Sequence, residues 1–404
     1  MADIEWLDGG ITAVPGFLAS GVVAGIKASG KKDLALIHSP TPARSAAVFT
    51  SNQVKGAPVL VSMEHARSGA AQAILASSGC ANVCTGERGL KDALEMTKTV
   101  ADLLRIPPNH VLIAATGVIG VPLPMDRVRA ALPKLAKALS PQGGRAAAEA
   151  IMTTDTRPKE AALRVEVNGR SVTVGGIAKG VAMLEPHLAT MFCFVATDAA
   201  VARGTLTGVV RRAVDHSFNR VTVDSDQSTS DTVAVLANGL AENRPVEVGG
   251  RGLRQFAAGV EALMTRLAKM LVADGEGATK LVAVNVRGAA SRRDALLAAR
   301  SVANSPLVKT AINGADPNWG RLMMALGKSA ARVDQDKVAI TFGEEGLVER
   351  GVLREGVRLE RIREIMGGQE YEITIDLGLG RGEDRMWTCD LSEEYVRLNG
   401  KYTT

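Results

Sequence analysis

The amino-acid sequence predicts an α+β protein in which layers of helices cover β-sheets. Several long segments repeat their apolar residues with the period of an α-helix. Between them lie short runs of apolar and β-branched residues bounded by Gly, Asn or Asp. Near the C-terminus, two such runs are joined by a glycine-rich stretch that predicts a β-hairpin. Hairpins mixed with long helices favour two sheets sandwiched between helices over a doubly wound parallel sheet.

Four segments carry the helical period. In the first, Leu90 and Leu94 begin an apolar stripe along one face. Pro133 lies inside the second segment, where it removes one backbone donor. Ser291 precedes the last segment and is placed to cap that helix at its N-terminus. The predicted helices cover residues 89–105, 125–139, 252–273 and 291–303.

The predicted strands are short and mostly apolar. The last two are connected by Gly378, Gly380 and Gly382, which superficially match a phosphate-binding fingerprint. Such a fingerprint opens a helix, whereas these glycines connect two strands, so a hairpin turn is the better interpretation. The predicted strands cover residues 73–77, 111–115, 281–286, 338–342, 371–376 and 385–390.

Composition and charge exclude several classes of protein. Of the 404 residues, 46% are hydrophobic and 23% are charged, which is typical of a folded globular chain and not of a disordered one. The 48 basic and 43 acidic residues leave a net charge of only +5, and Lys and Arg form no dense block. Because a nucleic-acid-binding protein concentrates its basic charge on one surface, the sequence argues against nucleic acid as a partner.

The patterns of Cys, His and acidic residues indicate neither a metal site nor a bound cofactor. The five histidines include no pair at metal-ligand spacing, and the four cysteines fit reduced thiols of the cytosol. The acidic segment 224–231 lacks the Gly and the final Glu of a calcium loop. No signal peptide is visible, and the most apolar stretch, residues 188–202, is too short to span a membrane. We therefore expect a cytoplasmic protein.

Two segments contain residues that could carry chemistry. Residues 114–124 place a Thr–Gly turn after a predicted strand, and such a turn can direct backbone N–H groups at a developing oxyanion. Residues 178–191 place Lys179 and Thr190 in an otherwise apolar sequence. A buried Thr usually bonds to a backbone carbonyl and a lone Lys usually reaches solvent, so the residue types by themselves leave catalysis open.

At these segments the chain resembles the ornithine acetyltransferase family of arginine biosynthesis, also called glutamate N-acetyltransferase. The resemblance extends over essentially the whole chain. It implies a layered α/β/β/α sandwich of the kind found in self-cleaving acetyltransferases and aminopeptidases. Ser77, Cys80 and His187 depart from the Asn that is frequent in the family, but none is an implied catalytic position. The similar blocks are residues 16–27, 116–124, 179–191, 218–224, 316–321 and 399–404.

The resemblance implies a precursor that cleaves itself between Ala189 and Thr190. The products would be an α chain, residues 1–189, and a β chain, residues 190–404, assembled as a heterotetramer of two α and two β chains. A Thr hydroxyl is too weak an acid to attack unaided, but the α-amine of an N-terminal Thr has a pKa of about 7.7–8 and can accept its proton. Cleavage would therefore create the nucleophile together with its base.

The implied reaction is ping-pong acetyl transfer in the cyclic pathway of arginine biosynthesis. Thr190 would take the acetyl group from N²-acetyl-L-ornithine, release L-ornithine, and pass the group to L-glutamate to give N-acetyl-L-glutamate. Thr116 and Gly117 match the oxyanion hole of the family. Lys179 would bind a substrate carboxylate and Glu276 an ammonium group. The implied substrate-binding residues are Thr153, Thr154, Lys179, Thr190, Glu276, Asn399 and Thr404.

Several alternatives stay open. The threonine of the family pattern falls on Thr153 or Thr154, of which we prefer Thr153. Some family members also use acetyl-CoA as a substrate, and no motif separates them from the others. A self-processed amidase or aminopeptidase would share the nucleophile but transfer the acyl group to water, and a non-catalytic relative would only bind a ligand. The blocks around Lys179 and Asn399 favour the transferase. The segment 224–231 has no assigned role beyond a polar turn.

Overall fold

The computed structural model describes residues 3–185 and 191–400. The strands are β1 Ile4–Leu7, β2 Leu18–Val22, β3 Leu34–His38, β4 Arg44–Phe49, β5 Ala73–Cys80, β6 Val111–Val118, β7 Lys159–Val167, β8 Arg170–Lys179, β9 Phe192–Thr197, β10 Val221–Thr222, β11 Thr232–Ala237, β12 Leu281–Ala289, β13 Ala339–Phe342, β14 Glu345–Glu349, β15 Val352–Leu353, β16 Glu370–Asp376 and β17 Gly382–Cys389. The helices are α1 Ala57–His65, α2 Gly86–Leu104, α3 Met125–Lys137, α4 Gly144–Ile151, α5 Arg203–His216, α6 Leu253–Ala273, α7 Arg292–Ala303, α8 Pro306–Asn313, α9 Trp319–Gly327, α10 Leu359–Met366 and α11 Glu393–Asn399.

The chain divides into two compact units. The first holds the residues before Arg220 together with Asp226–Leu271, and the second holds Arg220–Ser225 together with the segment that starts at Val272. The predicted α and β chains do not coincide with these two units. A cut after residue 189 falls between β8 and β9, which pair antiparallel in one sheet. The predicted α and β chains would therefore share a sheet within the first unit.

Two sheets and the helices that cover them form the first unit. One sheet has the strand order β1-β7-β8-β9-β11-β4 and the other has the order β2-β3-β5-β6. Their facing sides share one core, where Ile37 of β3 lies in the same cluster as Phe192 and Phe194 of β9 and the apolar residues of α4. Helices α1, α2 and α3 cover the other side of the four-stranded sheet. Leu267 of α6 lies against Gly176 on the outer side of β8, and the predicted α/β/β/α sandwich is confirmed.

The four predicted helices are confirmed as α2, α3, α6 and α7. Pro133 lies inside α3, and the side chain of Ser291 accepts the N–H of Asp294 as the N-cap of α7. Strand β9 is buried at every position, which explains why its sequence is a continuous apolar run without alternation. No helix in the described part of the chain is long and apolar enough to cross a membrane.

The second unit contains a seven-stranded sheet with the order β10-β17-β12-β16-β13-β14-β15. The predicted hairpin between the last two strands is wrong, because β12 lies between β16 and β17, parallel to the first and antiparallel to the second. The glycine-rich connection crosses the end of β12, where the N–H groups of Leu379 and Gly380 donate to the carbonyl of Gly288. A pattern within a short stretch of sequence cannot reveal that a strand from much earlier in the chain, here β12, lies between two strands that follow each other in the sequence.

Candidate active site

The end of β6 holds the two residues that match the oxyanion hole. Thr116 is buried, and Gly117 lies in register with Gly79 of β5. Gly117 has a φ of +128°, and a Cβ atom on it would lie 2.4 Å from the carbonyl carbon of Gly79, so only glycine fits there. The sequence predicted a turn at these residues. Instead, β6 continues to Val118, with the two glycines side by side.

Lys179 connects Thr116 to the loop that follows α4. It ends β8 and is only 2% exposed. Its Nζ donates to Oγ1 of Thr153 at 2.9 Å and lies 3.5 Å from Oγ1 of Thr116. The residue-type expectation that a lone lysine here reaches solvent is therefore wrong. Of the two candidate threonines, Thr153 makes this contact, whereas Thr154 is exposed.

A buried ion pair, which the sequence analysis missed, holds this loop against β8. The side chains of Asp155 and Lys159 are fully buried, with Oδ1 and Nζ 2.6 Å apart. Asp155 also accepts the N–H groups of Thr153 and Gly180, each at 2.9 Å. Burial alone would raise the pKa of Asp155, but the charges of Lys179 and Lys159 outweigh it and lower the pKa to about 2. Asp155 is therefore ionised at neutral pH.

A second cation lies near the same strands. The side chain of Lys27 lies close to Gly79, where a Cβ atom would be 2.9 Å from its Cγ, and its Nζ donates to the carbonyl of Lys32 at 2.7 Å. Burial lowers the pKa of Lys27 to about 8; Asp33 opposes this shift and the charge of Lys179 adds to it. Because the charges of Lys27 and Lys179 act on each other, this region favours an anionic group such as a carboxylate.

Asp231, directly before β11, belongs to the segment that the sequence analysis left unassigned. Its side chain is fully buried, and Oδ1 accepts the N–H of Met191 at 2.8 Å. Its Oδ2 has no hydrogen-bond partner among the described residues. Burial raises the pKa of Asp231 well above its usual value, and the Met191 bond and the charge of Lys179 oppose this only in part. The signal in the sequence was an Asp at the start of a continuous apolar strand.

In the second unit, the structure brings Glu276 and Asn399 together. Nδ2 of Asn399, the last residue of α11, donates to Oε2 of Glu276 at 2.8 Å. The loop that carries Glu276 is held by Asp390, whose Oδ1 accepts the N–H groups of Thr279 at 2.8 Å and Lys280 at 2.9 Å. Asn399 is thus part of a helix in contact with another implied binding residue and is not a frayed tail.

The remaining implied residues, Ala189, Thr190 and Thr404, lie outside the described residues, as does His187. In the part of the chain that is described, no group of three or more His, Cys, Asp or Glu could hold a metal ion. What the first unit does bring together is a buried ammonium, two threonine hydroxyls and a glycine in close contact with a neighbouring strand. Such groups can bind and polarise a carbonyl or carboxylate that is shielded from water.

Comparisons with known proteins agree with this fold. The model of the ArgJ family matches residues 18–404. The arginine biosynthesis bifunctional protein ArgJ of Symbiobacterium thermophilum is 49% identical and covers 99% of this chain and 100% of its own length. The ArgJ protein of Geobacter sulfurreducens is 48% identical and covers 97% of this chain and 100% of its own length. A crystal structure of ArgJ from Bacillus halodurans is 37% identical, with a TM-score of 0.50, and covers 52% of this chain and 98% of its own.

The layered fold and these matches define an acyltransferase of arginine biosynthesis. The chain belongs to the ArgJ family, since the family model and the relatives span nearly all of its residues. The resemblance that the sequence motifs indicated is therefore confirmed.

Proposed function

We propose that the chain transfers the acetyl group of N²-acetyl-L-ornithine to L-glutamate through an acetyl ester on Thr190. The observation that carries this proposal is the position of Lys179, whose Nζ meets the hydroxyls of Thr116 and Thr153 in a buried part of the first unit. A cation and hydroxyls shielded from water suit a reaction in which a carbonyl oxygen gains negative charge. The next strand of the sheet, β9, begins shortly after Thr190 in the chain.

The proposed reaction has two half-reactions. In the first, the α-amine of Thr190 accepts the hydroxyl proton, Oγ1 attacks the acetyl carbonyl, and the oxyanion is stabilised by Thr116 and Gly117. Collapse breaks the bond between the acetyl carbon and nitrogen, and the proton passes to the leaving amine of L-ornithine. In the second, the amine of L-glutamate attacks the acetyl ester. Thr190 recovers its proton and N-acetyl-L-glutamate leaves.

The proposed binding roles follow from charge. Lys179, with the nearby positive charge of Lys27, would bind a substrate carboxylate, because a buried ammonium is stabilised by a matching anion. In the second unit, Glu276 would bind a substrate ammonium group. Asn399, which donates to the Glu276 carboxylate, and Thr404 would also contact substrate.

Self-cleavage between Ala189 and Thr190 is part of the proposal, because only a free α-amine gives the Thr190 hydroxyl its base. The Bacillus halodurans relative supports it: that chain matches 98% of its own length but only 52% of this one, so it is about half as long. We propose that the α and β chains, residues 1–189 and 190–404, stay together as a heterotetramer of two of each.

Acetyl-CoA is proposed as a second acetyl donor. The relatives from Symbiobacterium thermophilum and Geobacter sulfurreducens carry the name bifunctional, and a thioester can acylate the same Thr190 hydroxyl that an amide does. No metal or prosthetic group has a step in this mechanism. Both donors are metabolites of the cytoplasm, where we propose that the enzyme works.

The choice of acceptor tests this proposal against an amidase. Purified protein is incubated with N²-acetyl-L-ornithine, with and without L-glutamate, and L-ornithine, acetate and N-acetyl-L-glutamate are quantified by mass spectrometry. The transferase releases L-ornithine and N-acetyl-L-glutamate in equal amounts, and release slows sharply without L-glutamate. Equal release of acetate in both reactions would indicate an amidase, and no turnover of either kind would indicate a ligand-binding relative.

A further inference from the structure

The side chain of Asp390 connects three parts of the second unit. Asp390 directly follows β17 and is only 3% exposed. Its Oδ1 accepts the N–H groups of Thr279 at 2.8 Å and Lys280 at 2.9 Å, while Oδ2 accepts the Thr279 hydroxyl and Nδ2 of Asn313, each at 2.7 Å. Both carboxylate oxygens are thus fully used as acceptors. The proposed reaction does not use Asp390, and the sequence motifs assign it no role.

Most of these hydrogen bonds hold the loop that carries Glu276. Thr279 and Lys280 follow Glu276 in the connection between α6 and β12. Hydrogen bonds to an ionised acceptor are roughly twice as strong as those between neutral groups, so the Asp390 carboxylate holds this loop more firmly than a neutral side chain would. Because a loop has no ladder of its own to fix its backbone, the place of the Glu276 side chain depends on this contact.

The segment that begins at Asp390 holds the same loop at a second point. Oγ of Ser392 donates to the carbonyl of Gly277 at 2.6 Å. Gly277 has a φ of +71°, and a Cβ atom on it would lie 2.5 Å from a backbone nitrogen of α11, so only glycine lets the loop and the helix approach so closely. At the end of α11, Nδ2 of Asn399 donates to Oε2 of Glu276 at 2.8 Å. The segment therefore fixes both implied binding residues relative to each other.

We propose that Asp390 is a positioning residue for substrate binding: its carboxylate holds the Glu276 loop against the segment that leads to α11, so that Glu276 meets a substrate ammonium group in one fixed orientation. This inference rests on the proposed function. Of the two proposed substrates, N²-acetyl-L-ornithine carries an ammonium group that does not react, whereas the single amine of L-glutamate is the one that attacks. A Glu276 carboxylate fixed in advance favours N²-acetyl-L-ornithine, because little side-chain freedom is lost when it binds.

The variant Asp390→Ala removes all of these acceptor contacts at once. In the transfer assay we expect KM for N²-acetyl-L-ornithine to rise about tenfold or more, the effect of losing one hydrogen bond to a charged group. The kcat and the KM for L-glutamate should change less than about twofold, since the loss concerns binding of one substrate. Because Asp390 acts through Glu276, adding Asp390→Ala to Glu276→Gln should change KM less than about twofold further.

Two single substitutions separate positioning from a general loss of stability. Thr279→Val and Asn313→Ala each remove one hydrogen bond of 2.7 Å to Oδ2 of Asp390, but Thr279 belongs to the Glu276 loop and Asn313 is the last residue of α8. We expect Thr279→Val to raise KM for N²-acetyl-L-ornithine and Asn313→Ala to leave it unchanged, whatever each does to the urea midpoint. The comparison of these two variants tests the inference even if Asp390→Ala does not fold.

An unchanged KM for N²-acetyl-L-ornithine in folded Asp390→Ala would overturn the inference. Equal changes of KM in Thr279→Val and Asn313→Ala would also overturn it, as would the full effect of Asp390→Ala on top of Glu276→Gln. Failure of the proposed function is distinguishable, because wild-type protein would then form no N-acetyl-L-glutamate, or Glu276→Gln alone would keep the wild-type KM, and the inference would fall with it.

Discussion

The buried pair of Asp155 and Lys159 allows a quantitative test of what holds the site. Lys159→Met removes the ammonium that lies 2.6 Å from Oδ1 of Asp155 and leaves a fully buried carboxylate. The pKa of Asp155 falls from 3.8 to about 2 on folding, which corresponds to about 2 kcal/mol of folded-state stability at neutral pH. Because Lys179 still acts on the carboxylate, we expect Lys159→Met to lower the free energy of unfolding by about 2–3 kcal/mol.

The pH dependence of this contribution has a definite sign. The pKa of Asp155 is lower in the folded than in the unfolded state, so its stabilisation is complete above about pH 4 and is lost as the pH falls toward 2. The stability of Lys159→Met should therefore approach that of the wild type in acid. Asp155→Asn has no carboxyl group to titrate at this position, so its stability should lack the pH dependence that Asp155 gives the wild type.

Urea unfolding of the two single variants and of the double variant Asp155→Asn/Lys159→Met measures the effect. Removing both charges leaves no unpaired buried ion, so the double variant should be more stable than the sum of the single losses by at least about 1 kcal/mol. The transfer assay on the same proteins should show a higher KM for Lys159→Met, since Asp155 positions Thr153. Additive losses, or a Lys159→Met protein as stable as the wild type, would refute this reasoning.

Three further predictions concern single residues. Thr153→Val should raise KM about tenfold, because the loss of one hydrogen bond to the charged Lys179 costs about 1.5 kcal/mol. Thr154 is exposed, so the control variant Thr154→Val should leave KM unchanged. Steady-state kinetics of both variants measures the difference. Gly117→Ala should reduce kcat on the order of 10²-fold or more because its Cβ would lie 2.4 Å from backbone, and Gly204→Ala, with open space around it, should not. Lys27→Met should unfold at a higher urea concentration than the wild type at pH 7, because burial disfavours the charged form of the Lys27 side chain. This difference in stability should shrink as the pH rises through about 8, where wild-type Lys27 loses its proton in the folded state.

Sequence patterns predicted the fold where the structure is determined locally. The helix α7 follows from its apolar period and from the cap at Ser291, and both signals act within one turn. The hairpin near the C-terminus failed because the neighbour of β17 is β12, whose pairing depends on residues far apart in the chain. Strand order within a sheet is set by burial of the whole sheet, and a short window contains no information on it.

The same distinction applies to the site. Thr116, Gly117 and Lys179 were found because they stand in blocks that resemble a family. Asp155 and Asp231 were missed, because in the sequence each is one acid in a polar segment, and the only local sign of burial is the apolar strand that follows Asp231. Their significance appears only when distant strands bring Lys179 and Met191 to them. Charge inside a core is the feature that sequence reasoning most easily overlooks.

Intact-mass spectrometry of freshly purified protein, before and after brief exposure to N²-acetyl-L-ornithine without L-glutamate, tests the central claim most directly. We expect two chains, the second beginning at Thr190 and gaining the mass of one acetyl group, which peptide mapping assigns to the Thr190 side chain and which L-glutamate removes. A single uncut chain that still transfers acetyl groups, or an acetyl group on any other residue, would contradict the account of Thr190 as an N-terminal nucleophile.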